Sequence, residues 1–194
     1  MKLFSVKNKI KEMPQGFSLI ELLVTIAVLT IVSGVVFFNH AQFNNSVLVE
    51  NLAYEISLVI RQAQFYGVQV KETEGSFNAG YGVYFDKTKP TEFLIFADKN
   101  LNYVYDAGAD GEPVDMLRMT SGNKIEKLCA GNDCNVNYLN IGFLRPNPSA
   151  IIKTSAEGGT FATAEICIIS PKGMRRKIFV NNVGQISIET ECSI

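Results

Sequence analysis

One carboxylate stands where a carboxylate is costly. Glu21 interrupts an otherwise uncharged apolar run from Phe17 to Phe38. An acid inside such a run costs roughly 2.5–3.5 kcal/mol on insertion scales, so it calls for a partner of opposite charge or a place at the membrane edge. Four cysteines offer redox or metal chemistry: Cys129 and Cys134 close together, Cys167 and Cys192 apart. They allow three disulfide connectivities, and spacing alone does not choose. Pairing 129 with 134 and 167 with 192 is favoured, because the first two are adjacent and the second bond would tie down the tail. Zinc is the rival use, but the only histidine is His40, far along the chain, and no second tight cysteine pair exists. Asp98, Asn100, Asn102 and Asp106 place oxygen side chains at alternating positions, as calcium loops do. Tyr103 occupies the position of the sharp-turn glycine and Ala109 that of the bidentate acid, so the competing reading is an Asx-turn loop that caps its own backbone. Lys172, Arg175, Arg176 and Lys177 form the basic cluster of the body, flanked by Pro171 and Gly173 as at a hairpin tip. No glycine-rich phosphate loop and no Gly-x-Ser-x-Gly elbow are present, so no cofactor and no enzymatic activity are expected.

The elements that carry these residues change character along the chain. Residues 1–16 hold Lys2, Lys7, Lys9 and Lys11 against Glu12, a local charge of +3, while the rest carries −4. A basic head before an apolar run reads as a targeting segment, and the lysines place the N-terminus on the cytoplasmic side. As a helix the run would reach about 33 Å, enough to cross a bilayer. It is too long for an ordinary secretory signal, and Phe37-Phe38-Asn39-His40 is a poor cleavage site, so the segment is expected to be kept. Beyond it, Leu48, Leu52, Ile56, Val59, Ala63 and Tyr66 recur at spacings of three and four, predicting an amphipathic continuation over 39–66 with Gly67 as its stop. After Gly67 come short strand-like runs separated by turns: Gly67–Lys71, Tyr81–Asp86, Glu92–Ala97, Met116–Met119, Tyr138–Phe143, Ile151–Thr154, Thr163–Ile169, Arg176–Asn181 and Gln185–Glu189. One amphipathic helix against a largely antiparallel sheet makes an α+β head over residues 67–194, large enough to bury a core. Hydrophobic residues at 47% and charged residues at 19% exclude a disordered chain and a polybasic nucleic-acid arm.

Gly16-Phe17-Ser18-Leu19-Ile20-Glu21-Leu22-Leu23-Val24 resembles the cleavage and methylation motif of type IV prepilins. The resemblance implies removal of residues 1–16 by a prepilin peptidase acting after Gly16, and N-methylation of Phe17. It also implies that Glu21 neutralises the N-terminal amine of a neighbouring subunit during assembly, which supplies the partner that the apolar run demands. The expected architecture is a pilin-like lollipop, and the four cysteines suit its extracytoplasmic head. The ending from Gly173 to Gly184-Gln185-Ile186 makes the head similar to the GspH/FimT group of minor pseudopilins and minor pilins, and Leu52 with Arg61-Gln62-Ala63-Gln64 resembles that group's helix-to-sheet passage. The implied role is a minor pilin or pseudopilin, single-pass in the inner membrane, with its head in the periplasm or at the cell surface. Its partners would be other pilin subunits, the peptidase/N-methyltransferase and an inner-membrane assembly platform. Some FimT-like minor pilins bind DNA through a Gly-Arg-x-Arg element near the basic cluster. Here Met174 replaces its first arginine, leaving Lys172, Arg175, Arg176 and Lys177, with Lys153 and Arg145, as candidates for DNA uptake. A type II secretion pseudopilin that contacts exported proteins is a third reading.

Overall fold

A computed structural model describes residues 16–69, 79–107, 111–155 and 158–192. The leader up to Gln15 therefore lies outside the described residues, as do Asp110, residues 70 and 71 of the first expected strand, and the side chain of His40. The chain divides into two compact units, Met1–Ala41 and Gln42–Ile194.

Helix α1 spans Leu19–Val68. In the first unit its leucines, valines and isoleucines point away from any protein core: Leu19–Phe37 has a mean hydropathy of 2.5 and none of it is buried. The two threonine hydroxyls in this stretch are satisfied within the helix, Thr25 Oγ1 donating to the Leu22 carbonyl and Thr30 Oγ1 to that of Ala27, each at 2.8 Å. Such back-bonding keeps polar groups tolerable in an apolar solvent.

In the second unit the same helix turns one side inward. Val49, Leu52, Ala53, Ile56, Val59, Ile60 and Ala63 are buried, a broader stripe than the three-and-four spacing alone marks out. Among the described residues nine strands follow, in two antiparallel sheets. β1 (Gly80–Asp86), β2 (Glu92–Asp98), β3 (Gly111–Arg118), β5 (Tyr138–Leu144) and β6 (Asn147–Lys153) form one, in the order β3-β2-β1-β5-β6. β4 (Lys124–Ala130), β7 (Thr163–Ile169), β8 (Arg175–Asn181) and β9 (Ile186–Glu189) form the other, in the order β4-β7-β8-β9. Val83, Phe85, Ile95, Leu139 and Ile141 of the first sheet share a core with Ile125, Leu128, Ile166, Ile168, Ile178 and Val180 of the second and with the helix stripe. The class is α+β with an antiparallel head, as the alternation predicts.

Three local expectations need correction. Gly67 does not stop α1, which runs on through Val68. A Cβ there would lie 2.5 Å from the Phe143 carbonyl oxygen, so glycine is required for close approach of helix and β5. Gly67 and Val68 are accordingly helical where a strand is expected. Finally, β4 is absent from the predicted strands, because a register shift between Ile125 and Lys127 breaks its alternation.

Candidate functional site

At the N-terminus, Gly16, Phe17 and Ser18 precede the helix. Ser18 caps it: the Glu21 N–H donates to Ser18 Oγ at 3.3 Å, and the Leu22 N–H donates to the Ser18 carbonyl at 3.2 Å. Ser18-Leu-Ile-Glu21 thus has the spacing of a capping box, a signal present in the sequence that the prepilin resemblance overshadows. Phe17 is 84% exposed, and among the described residues nothing lies within 4 Å of a Cβ built on Gly16. Glu21 is exposed in the first turn, where a carboxylate favours the helix dipole.

The oxygen-rich loop after β2 is brought together as its spacing suggests, and it satisfies itself. Asp98 is 4% exposed and accepts N–H bonds from Asn102 (Oδ1, 3.2 Å) and Tyr103 (Oδ2, 2.7 Å). Burial raises the Asp98 carboxyl above its usual range, while the N–H groups of Tyr103, Leu101 and Asn102 pull it back in part. Asn100 and Asn102 both donate side-chain N–H bonds to Asp106 Oδ2, at 2.9 and 2.8 Å. Asn102 Oδ1 accepts the Val104 N–H at 2.8 Å. Tyr103, at the position where a calcium loop carries glycine, takes a φ of 63°. The hydrogen bond from its backbone N–H to Asp98 Oδ2 and the packing of its side chain on Gly142 hold it in that left-handed conformation.

The basic cluster is divided by the alternation of β8. Arg176 faces α1, where its Nη2 lies 3.1 Å from Glu50 Oε2, with 15% of the arginine side chain exposed. Arg175 and Lys177 face the other way. Arg175 makes a two-pronged contact with Glu126 of β4, Nε to Oε2 at 2.6 Å and Nη2 to Oε1 at 2.7 Å. Lys177 Nζ lies 2.9 Å from Glu189 and 3.8 Å from Glu165. The Arg175 hydrogen bonds hold the Glu126 carboxyl below the usual carboxylate range, and the Glu189 bond raises the Lys177 ammonium. Lys172 is exposed in the β7–β8 turn, whereas Lys153 and the turn residue Arg145 belong to the five-stranded sheet. A phosphate approaching Arg175, Arg176 or Lys177 would compete with a carboxylate already paired to each.

Cys129 is bonded to Cys134, and Cys167 to Cys192. Glu126, Cys167 and Cys192 are the one group of potential metal ligands that converges among the described residues, and the disulfide occupies both of its sulfurs. Of the residues quoted for the GspH/FimT likeness, Arg61, Gln64, Gly184 and Ile186 meet at the C-terminal half of α1, while Gly173 lies in the β7–β8 turn. Gln64 Nε2 donates to the carbonyls of Pro148 (2.8 Å) and Gly184 (3.1 Å), and Arg61 Nη2 to that of Ile186 (3.3 Å). One glutamine therefore ties the helix to both sheets. Gly184, at φ 84°, leaves no room for a Cβ beside Pro148 and Gln64.

Sequence reasoning missed an aromatic cleft on the outer face of the five-stranded sheet. Tyr84, Leu94 and Met116 stand in one row across β1, β2 and β3, and Tyr138 opposes Asp86 in the next. Tyr105, from the oxygen-rich loop, leans on them and donates its backbone N–H to Asn140 Oδ1 at 2.9 Å. The outward positions of alternating strands were the available signal.

Residues 14–37 match the family model described as the prokaryotic N-terminal methylation motif. The match supports a type IV prepilin-like protein, a class of structural subunit that is processed by prepilin peptidase and assembles with other pilin subunits. With its N-terminal apolar helix, the chain fits a single-pass inner-membrane protein. No curated protein and no solved structure matches the chain.

Proposed function

We propose that the chain is a minor pilin or pseudopilin of the GspH/FimT type, assembled into a pilus or pseudopilus after cleavage between Gly16 and Phe17 and methylation of Phe17. The observation that carries the reading is the coincidence of the matched motif with an exposed apolar helix that begins two residues after Phe17. The N-terminus starts on the cytoplasmic side and the head lies outside the cytoplasm, where both disulfides persist. In the filament the helix leaves lipid for a core of neighbouring helices, and Glu21 meets the amine of an adjacent Phe17. A pair of opposite charges is tolerated in apolar surroundings where a single charge is not.

Replacing Glu21 by Val in the native host tests this directly. The expected outcome is normal membrane insertion and leader removal with loss of the subunit from sheared filaments. Undiminished incorporation would reject the role given to Glu21. Scoring the same strain for surface pili and for secretion of exported proteins separates a pilus subunit from a type II secretion pseudopilin.

A further inference from the structure

The aromatic cleft on the outer face of the five-stranded sheet has no part in the assembly reading, and its composition specifies a ligand. It encloses about 380 Å³, within the roughly 300–1,000 Å³ of small-molecule sites. Tyr84 and Tyr138 are nearly parallel, 16° between planes with centroids 6.2 Å apart. Tyr105 stands against Tyr84 at 5.0 Å and 38°, forming a wall. Tyr138 is 44% exposed, so its ring is open to a visitor. Around the rings lie Asp86, Glu92 and Lys89. Lys89 Nζ is 3.9 Å from Glu92, and Arg118 Nε is 3.6 Å from the same carboxylate. Asp86 accepts from Thr88 N and Oγ1 at 2.7 Å each, and hydrogen-bonds Tyr84.

Charge and shape narrow the occupant. Glu92 is offset by Lys89 at the rim and by Arg118 beside the cleft, and Asp86 is engaged by Thr88 and Tyr84, so neither a polyanion nor a cation is strongly drawn in. A neutral ligand with a flat apolar face and an edge of groups that both donate and accept hydrogen bonds matches tyrosine faces beside carboxylates and an ammonium. A pyranose with equatorial hydroxyls has that shape. We infer that this cleft binds a β-linked glucosyl or N-acetylglucosaminyl chain, with one ring stacked on Tyr138 and its hydroxyls directed to Glu92 and Lys89. The oxygen-rich loop positions this site: Asp98 and Asn140 fix its backbone, and Tyr105 is the side chain it delivers.

The test uses the full chain in lipid nanodiscs, which avoids sugar-based detergents. Cellotetraose and the β-1,4-linked tetramer of N-acetylglucosamine are the probes, followed by saturation-transfer NMR. At least one probe is expected to bind, Tyr138→Phe to retain it, and Tyr138→Ala to weaken it at least tenfold. Tyr138→Leu, which keeps apolar bulk without a ring, replaces the alanine variant should that one not fold. Absence of binding by both probes at millimolar concentration overturns the inference. So does binding that ignores ring removal, or retention of an oligo-dT probe with neither sugar bound.

Discussion

At Gly67 the letter that commonly ends a helix instead lets one pass. The contact with the Phe143 carbonyl oxygen is backbone against backbone, so no rotamer change relieves an added methyl. Gly67→Ala is expected to destabilise the head by about 1–3 kcal/mol, read as a lowered thermal midpoint by circular dichroism. A glycine after a periodic apolar stretch looks the same in sequence whether it caps a helix or admits a neighbour, and β5, which decides the matter, lies far along the chain. Glu126 and Arg175 give a pH prediction. The folded carboxyl is held low by Arg175, so the pair adds stability above the unfolded carboxyl's range and loses it as pH falls through the lower folded value. Both side chains are partly exposed, so the contribution is small. Glu126→Gln should therefore lower the midpoint slightly at pH 7 and match the parent near the acid end; a gap that widens toward low pH would contradict the assignment.

Among the elements, strands with unbroken alternation were legible: β7 spans Thr163–Ile169 as expected, and β1, β2, β5 and β8 differ by a residue or so. The edges were less so. β3 and β6 begin earlier than expected, and each takes in a proline, Pro113 or Pro148, which an outermost strand tolerates. β4 was hidden by its bulge. The oxygen-rich loop was legible as a cluster, and its self-closure was not, because Asx turns and calcium loops use the same residues. Both oxygens of Asp98 and Oδ2 of Asp106 are held by local N–H donors, so millimolar calcium or its chelation should leave the thermal midpoint unchanged. A rise on adding calcium would show that the cation outcompetes those bonds. The Cys167–Cys192 bond closes a separation of 25 residues against 5 for Cys129–Cys134. Loop-closure entropy then makes the longer bond the more stabilising, about 3 kcal/mol in the chain-entropy account. The Cys167→Ser/Cys192→Ser variant should melt lower than Cys129→Ser/Cys134→Ser; the reverse order would refute this.

For the whole molecule, the two units have different solvents. From Leu22 through Phe37 the helix offers outward mainly apolar side chains, with Thr25 and Thr30 bonded back to its own carbonyls, whereas the second unit has its own core. A fragment beginning at Asn45 is expected to stay soluble without detergent, and precipitation would count against the head as an independent unit. The prepilin motif was the most legible feature of the chain, because a protease and a methyltransferase read it as linear sequence. The role of the head was far less so, since the tyrosine cleft, the Gln64 ties and the neutralised arginines all depend on strands that meet only in the fold. The central claim is the processing itself. Intact-mass measurement of the protein from native-host membranes tests it most directly, and the account predicts loss of residues 1–16 plus one methyl group, about 14 Da, localised to Phe17. A retained leader, in a host that processes its other prepilins, would contradict it.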